Sequence, residues 1–153
     1  MAIKLAFEAS RRQGRTRRPQ FLSLDNAYHG DTVGSVGVGQ VEAFHRSFGP
    51  LLFDVDKAMS PHCYRCPFNR APSERQEARW ARRCHFECVD QIERQMEAKR
   101  KADGEPYAAF ILEPRIQGVA GMVAHPEGWL RRVADLARSE GTWLIADEVM
   151  TGF

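Results

Sequence analysis

Two short apolar segments, separated by an amphipathic stretch, constrain the fold of this 153-residue chain more than any other feature. The first segment covers residues 107–112 and the second covers residues 142–146. Between them, apolar residues recur at helical spacing after Pro126, and Gly141 stands where a helix C-cap belongs. A strand, a helix and a second strand in this order form a βαβ unit. We therefore predict an α/β fold with a mostly parallel sheet and helices on both of its faces.

Both apolar segments run directly into acidic residues. Glu113 follows the first segment, and Asp147 and Glu148 follow the second. In open α/β sheets, ligands bind at the carboxyl ends of the strands, so we expect Asp147 to lie at a ligand-binding edge. A structural role is equally open, because acids at strand ends also bind metals, cap helices or form ion pairs.

The remaining sequence divides the chain into three parts of one domain. They are the end of a helix with a basic connector at 1–20, a strand, a glycine-rich loop, a cysteine segment and a helix at 21–106, and the βαβ unit at 107–153. An amphipathic pattern predicts that the helix of the second part is long, over 73–101. The first helix lacks an N-cap, and the chain stops where another element is due, so we expect a piece of a larger enzyme.

Composition excludes several classes of protein. Hydrophobic residues make up 43% and charged residues 27% of the chain, which is typical of a soluble globular protein. The net charge of +2 and a basic connector without interleaved aromatics do not favour a nucleic-acid partner. No apolar run has the length of a membrane span, and the N-terminus does not resemble a signal peptide. We expect a cytoplasmic protein.

Four cysteines form two close pairs, Cys63 with Cys66 and Cys84 with Cys88. Two such pairs can close a tetrahedral zinc site, which would make the chain a small zinc-stabilised binding module. Against this, the second pair has a wider spacing within a predicted helix, and no glycine-rich knuckle is present. The same spacing is compatible with reduced, buried thiols and with a disulfide. We predict no metal site.

Several segments together resemble the class III aminotransferases, which are pyridoxal-phosphate (PLP) enzymes of fold type I. The resemblance rests on residues 27–32, on Glu113-Pro114 with Gln117-Gly118, on residues 145–149 and on residues 151–153. Their order and spacing match the family over nearly the whole chain. The resemblance implies part of the PLP-binding large domain, PLP as cofactor, small-molecule substrates, and an active site formed between the two subunits of a homodimer.

The resemblance also implies roles for individual residues. Asp147 matches the carboxylate that faces the pyridine nitrogen of PLP. Tyr28 and Val149 match the side chains on the two faces of the ring, Gly30 lets the backbone come close, and Gln117 lies in the loop that approaches the ring oxygen.

Other residues near these motifs have different expected roles. Tyr28 and Asp31 are the candidate contacts for the amino end of the substrate. We expect Glu113 to brace the end of its strand and His29 to be mainly a packing residue.

The lysine that binds PLP covalently in this family has no counterpart in the sequence. Four lysines are present, Lys4, Lys57, Lys99 and Lys101, and all fall in polar or surface-like contexts. We expect this lysine to lie beyond Phe153 and the phosphate-binding turn to precede Met1, so that the chain is inactive alone.

Within the class, one branch acts in biotin synthesis, and residues 28–38, 44–45, 50–53 and 63–67 resemble that branch. Val119 follows Gln117-Gly118, where transaminases of ornithine or γ-aminobutyrate tend to carry a glutamate. The expected reaction transfers an amino group from S-adenosylmethionine to 8-amino-7-oxononanoate and gives 7,8-diaminononanoate. The alternative within the class is another ω-amino-acid transaminase.

Overall fold

The computed structural model describes residues 1–15, 17–39, 41–72 and 81–152, and within them it contains helices and strands in mixed order. In chain order these are α1 (Ala2–Arg12), β1 (Phe21–Leu24), α2 (Val33–Gly39), α3 (Glu42–His45), β2 (Asp56–Ala58), α4 (Glu87–Asp103), β3 (Ala109–Leu112), β4 (Ile116–Gln117), β5 (Val123–Ala124), α5 (Trp129–Ser139) and β6 (Trp143–Ala146). Short 3-10 helices cover Arg46–Leu51 and Cys63–Arg65.

A parallel sheet of four strands, in the order β2-β1-β3-β6, forms the centre of the molecule. Leu24 pairs with Ala58, and Leu112 pairs with Ala146, so neighbouring strands end at the same level. The segments that follow these strands therefore meet along one edge of the sheet. This arrangement confirms the predicted α/β fold with its βαβ unit.

Helices cover both faces of the sheet, because alternate residues of each strand point in opposite directions. On one face, Leu22 and Phe110 pack with residues of α4 and α5, including Ile92 and Trp129. On the other face, residues of β1 and β3, including Phe21 and Ile111, pack with residues of α1 and α2. Leu22, Phe110, Ile92 and Trp129 are completely buried, which places the main core between the sheet and α4 and α5.

Strand β6 is less buried than its apolar sequence suggests. Every residue of β3 is buried, whereas Trp143 at the start of β6 is 49% exposed. Within the described residues β6 has a neighbouring strand on one side alone, and this edge position explains the exposure.

The long helix predicted over 73–101 begins much later. Residues 73–80 lie outside the described residues, and helix α4 starts at Glu87 because Phe86 has a left-handed backbone with φ of 67°. Its end was predicted more accurately, since α4 ends at Asp103 and Gly104 adopts the left-handed conformation of a C-cap. The loop predicted around Gly118 also contains a feature that the sequence pattern missed, the antiparallel pair β4 and β5.

Two of the lysines expected in polar or surface-like contexts, Lys57 and Lys99, have polar partners but are largely buried. The Nζ atom of Lys57 donates hydrogen bonds to Ser23 Oγ at 2.7 Å and to the carbonyl oxygens of Val38 at 2.9 Å and Gly39 at 3.0 Å. Burial lowers the pKa of Lys57 to about 8. The side chain of Lys99 is 9% exposed and forms an ion pair with Asp103. No helix among the described residues has the length and apolar character to cross a membrane.

Candidate active site

A cavity of about 270 Å³ opens at the carboxyl edge of the sheet, where the segments after β1, β3 and β6 converge. Its lining includes most of the residues that the sequence singled out. The lining residues are Tyr28, His29, Gly30, Glu113, Gly118, Val119, Asp147, Val149 and Met150. Of these, Met150 alone was not singled out by the sequence. The parallel register brings these residues together from positions up to 122 apart in the sequence, counting from Tyr28 to Met150.

Asp147 is fixed at the end of β6 by both its backbone and its side chain. The backbone N–H donates to Leu112 O at 2.8 Å, which extends the pairing of β3 and β6 by one residue. The carboxylate Oδ2 lies 2.7 Å from His29 Nδ1, and Oδ1 accepts a hydrogen bond from the Val149 N–H at 3.3 Å. The side chain keeps 18% of its surface exposed, so the carboxylate is held in place and still reaches the cavity.

His29 contributes more than the packing role that the sequence suggested. Its side chain is 2% exposed, so it does pack in the interior, but its ring also forms a direct contact with Asp147. An ionised carboxylate only accepts hydrogen bonds, so the ring proton belongs on Nδ1. The other nitrogen, Nε2, is buried and has no hydrogen-bond partner in the part of the chain that the structure describes. No local sequence signal predicts this contact, because the two residues are 118 positions apart.

Glu113 braces the site from the end of β3. Its side chain accepts hydrogen bonds from two backbone N–H groups, that of Tyr28 at 3.2 Å and that of Gly118 at 2.9 Å. The residue is 6% exposed, so both bonds are shielded from water. One buried carboxylate thus ties the loop after β1 to the loop after β4, which agrees with the bracing role expected from the sequence.

The loop that carries Tyr28 and His29 needs glycine at two positions. Gly30 has a φ of +102°, a region that side chains rarely adopt. Gly39, at the end of α2, packs so closely that a Cβ atom there would meet Ala27 O at 3.0 Å and the His29 N atom at 3.4 Å. Helix α2 therefore rests directly on the backbone of the Tyr28-His29 loop.

Tyr28 lines the cavity, and Asp31, which is not part of the lining, forms a pair with it at the rim. The Tyr28 hydroxyl donates to Asp31 Oδ2 at 2.9 Å, and this hydrogen bond raises the pKa of Tyr28. The Tyr28 ring stacks on the His45 ring, with centroids 5.9 Å apart and planes at 11°. The sequence predicted a substrate contact for Asp31 and no role for His45.

Two predicted cofactor residues differ in their placement. Val149 borders the cavity and is 94% exposed, which leaves it free to contact a bound molecule. Gln117 is completely buried and is absent from the cavity lining. Its amide donates to Asp25 O at 2.9 Å and accepts from the Ser60 hydroxyl, so a contact with a cofactor requires that it turn away from both partners. The role of Gln117 stays a prediction.

The four cysteines lie outside this cavity. All four are thiols outside any disulfide, and burial raises the pKa of Cys63 to about 11 and that of Cys88 to about 12. Cys84 precedes α4 and does not lie within it. Among the described residues, no three Cys, His, Asp or Glu side chains form a group that could hold a metal ion.

The cavity has the features that PLP requires. The pyridine ring needs a carboxylate near its nitrogen and apolar or aromatic groups against its faces. Asp147 supplies the carboxylate on one wall, and Tyr28 and Val149 supply an aromatic and an apolar surface. Beside Asp147, Nε2 of His29 is a buried polar atom that has no hydrogen-bond partner among the described residues.

Known proteins similar to this chain point in the same direction. The family model described as "Aminotransferase class-III" matches residues 1–153. An adenosylmethionine-8-amino-7-oxononanoate aminotransferase from Nitratidesulfovibrio vulgaris is 42% identical over 154 residues, which cover 99% of this chain and 26% of the relative. The chain therefore spans about a quarter of that relative's length.

Solved structures agree with the sequence matches. The crystal structure of an adenosylmethionine-8-amino-7-oxononanoate aminotransferase from Methanocaldococcus jannaschii has a TM-score of 0.77 and 33% identity, covering 99% of this chain and 29% of that one. An amine transaminase from an uncultivated Pseudomonas species, in a PLP-bound form, has a TM-score of 0.79 and 32% identity, covering 99% and 31%. The α/β fold described above is that of the PLP-dependent transaminases.

Proposed function

Because the chain belongs to the class III aminotransferases, we propose that the full-length protein containing it transfers an amino group from S-adenosylmethionine to 8-amino-7-oxononanoate. The product is 7,8-diaminononanoate, in biotin biosynthesis. Support comes from the similarity of the whole chain to enzymes of that name and from the Asp147–His29 pair at the cavity. The proposal concerns the full-length enzyme, because the chain covers only 26% and 29% of these relatives. A cytoplasmic homodimer is part of the same proposal.

Asp147 carries the central chemical role. Bound PLP supplies an electron sink for the reacting amine, provided that its ring nitrogen keeps a proton. A carboxylate beside that nitrogen favours the protonated form and raises its pKa. His29 fixes the Asp147 carboxylate through the contact of 2.7 Å and leaves Oδ1 with one long hydrogen bond of 3.3 Å. Asp147 thus retains the capacity to hold a proton at the ring nitrogen.

Tyr28 and Val149 orient the ring and exclude water from its faces. Tyr28 is held through its backbone by Glu113 and through its hydroxyl by Asp31, so its ring has a defined position. Val149 comes from the segment after Asp147 and also lines the cavity. A ring that is held between two side chains reacts in a fixed orientation, which lowers the entropic part of the barrier.

Asp31 and Val119 support the choice of substrate. The Asp31 side chain is 77% exposed at the rim of the cavity and offers a negative charge to an ammonium group. Val119 lines the cavity and is 44% exposed, so this wall is apolar where a glutamate would pair with an arginine. An acid at the rim and an apolar wall suit a long ω-amino oxo acid or a cationic donor.

Another amine transaminase of the same class is the alternative function. It is favoured by the similarity to the PLP-bound amine transaminase, whose TM-score of 0.79 is comparable to the 0.77 of the M. jannaschii enzyme. A zinc-stabilised binding module is less well supported, because the family match extends over residues 1–153 and includes all four cysteines.

The experiment that decides between these functions is a scan of amino donors. The full-length protein containing this chain is purified with PLP, and single-turnover changes in the cofactor absorbance are followed with S-adenosylmethionine, lysine, ornithine and γ-aminobutyrate. We expect S-adenosylmethionine to react and ornithine and γ-aminobutyrate to react poorly. A clear preference for ornithine or γ-aminobutyrate would assign the protein to another branch of the class, and no PLP binding at all would refute the proposal.

A further inference from the structure

His45 lies next to the Tyr28–Asp31 pair and has a fixed arrangement of its ring proton. The residue is 3% exposed, at the end of helix α3. Its Nδ1 accepts a hydrogen bond from the backbone N–H of Val41 at 3.0 Å. A ring nitrogen that accepts a hydrogen bond carries no proton, so the proton of this ring is on Nε2.

The Nε2–H of His45 points toward Asp31. The distance from Nε2 to Asp31 Oδ1 is 3.6 Å, slightly longer than a hydrogen bond. Nε2 is buried, and no described residue forms a hydrogen bond with it. A buried donor without a partner costs free energy, and a small rotation of the exposed Asp31 side chain removes that cost.

Tyr28 contacts both Asp31 and His45. Its hydroxyl donates to Oδ2 of Asp31, the carboxylate oxygen that His45 does not face, and its ring stacks on the His45 ring. Asp31 therefore lies near two donors, the Tyr28 hydroxyl and the Nε2–H of His45, and the rings that carry them stack on each other. The buried ring of His45 is the rigid member, whereas Asp31 is largely exposed.

We propose that His45 is a positioning residue of the active site, which holds the Asp31 carboxylate and, through it, the Tyr28 hydroxyl in one orientation for the amino end of the substrate. This inference rests on the proposed function, because it assumes that Asp31 meets an ammonium group. An exposed aspartate samples several rotamers, and each must be given up on binding. A carboxylate that His45 already holds avoids this cost.

The test compares three variants of the full-length protein. His45→Phe keeps an aromatic ring against Tyr28 and removes the Nε2–H donor. His45→Gln replaces the ring but restores an amide donor that can reach Asp31. His125→Phe is the matched control, because His125 is also a buried histidine, 6% exposed, and it packs on Trp129 away from Asp31.

Two measurements separate positioning from a structural role. The first is the pKa of Tyr28, followed by NMR of carbon-labelled tyrosine in protein without cofactor, in which the Tyr28→Phe variant identifies the Tyr28 signal. The second is the dependence of single-turnover rate on S-adenosylmethionine concentration.

We expect His45→Phe to bring the Tyr28 pKa closer to its ordinary value, and to raise the half-saturating donor concentration roughly tenfold while the maximal rate changes little. His45→Gln should restore both values, and His125→Phe should leave both unchanged. An unchanged Tyr28 pKa and unchanged donor saturation in His45→Phe would overturn the inference, as would a His45→Gln variant as impaired as His45→Phe. If the wild-type protein bound no PLP while the Tyr28 pKa still responded to His45, the proposed function would fail and the contact with Asp31 would stand.

Discussion

Glu113 and Asp147 occupy equivalent places in the fold and have different surroundings. Each follows the last residue of a parallel strand, and these last residues, Leu112 and Ala146, are paired in the sheet. Glu113 is 6% exposed and accepts hydrogen bonds from two backbone N–H groups. Asp147 contacts the side chain of His29, has one long bond to a backbone N–H, and remains 18% exposed toward the cavity.

The difference shows that the partners of a carboxylate determine its role more than its position in the fold does. Two strong backbone donors satisfy Glu113 internally, so it stabilises the loops around it. Asp147 is oriented by a single strong contact and keeps the capacity to accept another proton donor. The central strand therefore ends in a brace, and the edge strand ends in the candidate catalytic group.

The largest effect is expected on the Asp147 side of this comparison. In the full-length enzyme, Asp147→Asn should keep the fold but lower kcat on the order of a hundredfold or more, because a neutral amide does not hold the pyridinium proton by charge. Steady-state kinetics with circular dichroism as the folding control measure this effect. A kcat within a few-fold of the wild type would remove Asp147 from its assigned role.

Glu113 should affect stability more than rate. Glu113→Ala leaves the backbone N–H groups of Tyr28 and Gly118 without their acceptor, and we expect a loss of about 4 kcal/mol in the free energy of unfolding. Urea denaturation measures it. Asp135→Asn is the control, because the Asp135–Arg138 pair is exposed and should contribute little. Equal losses in the two variants would show that Glu113 is not a brace.

The sequence predicted the two carboxylates but not the partners that distinguish them. Strand ends follow from local apolar segments, and the meeting of their acids follows from parallel topology. The contact between His29 and Asp147 depends on the path of a loop 118 residues away, which no local pattern encodes. The start of α4 was missed for a similar reason, because the left-handed conformation of Phe86 interrupts an otherwise helical pattern.

The stability of the protein should also depend on pH through His125. This residue lies between β5 and α5 and is buried, its backbone N–H donates to Arg115 O at 2.7 Å, and burial lowers its pKa to about 4. The unfolded state, with an ordinary pKa near 6.5, binds more protons between pH 6.5 and 4, so stability falls as the pH drops through this window.

His125→Phe tests this dependence. The expected loss of unfolding free energy from this one group is about 3 kcal/mol between pH 6.5 and pH 4. The variant should lack that part of the loss. Urea denaturation of the wild type and the variant at pH 6.5 and at pH 4 measures the difference. If both proteins lost the same free energy over the window, His125 would not be buried as described.

The smallest effect is expected at the cysteines, because the cavity that both carboxylates line includes no cysteine. Burial raises the pKa of Cys63 to about 11, so its thiol stays protonated at neutral pH and is a weak nucleophile. Cys63→Ser with Cys66→Ser should lower stability modestly and change kcat by less than about twofold, because neither residue lines the cavity. Metal analysis of the purified wild-type protein completes the test. One equivalent of zinc, whose removal by a chelator unfolds the protein, would mean that a metal held by the cysteine segment stabilises the fold.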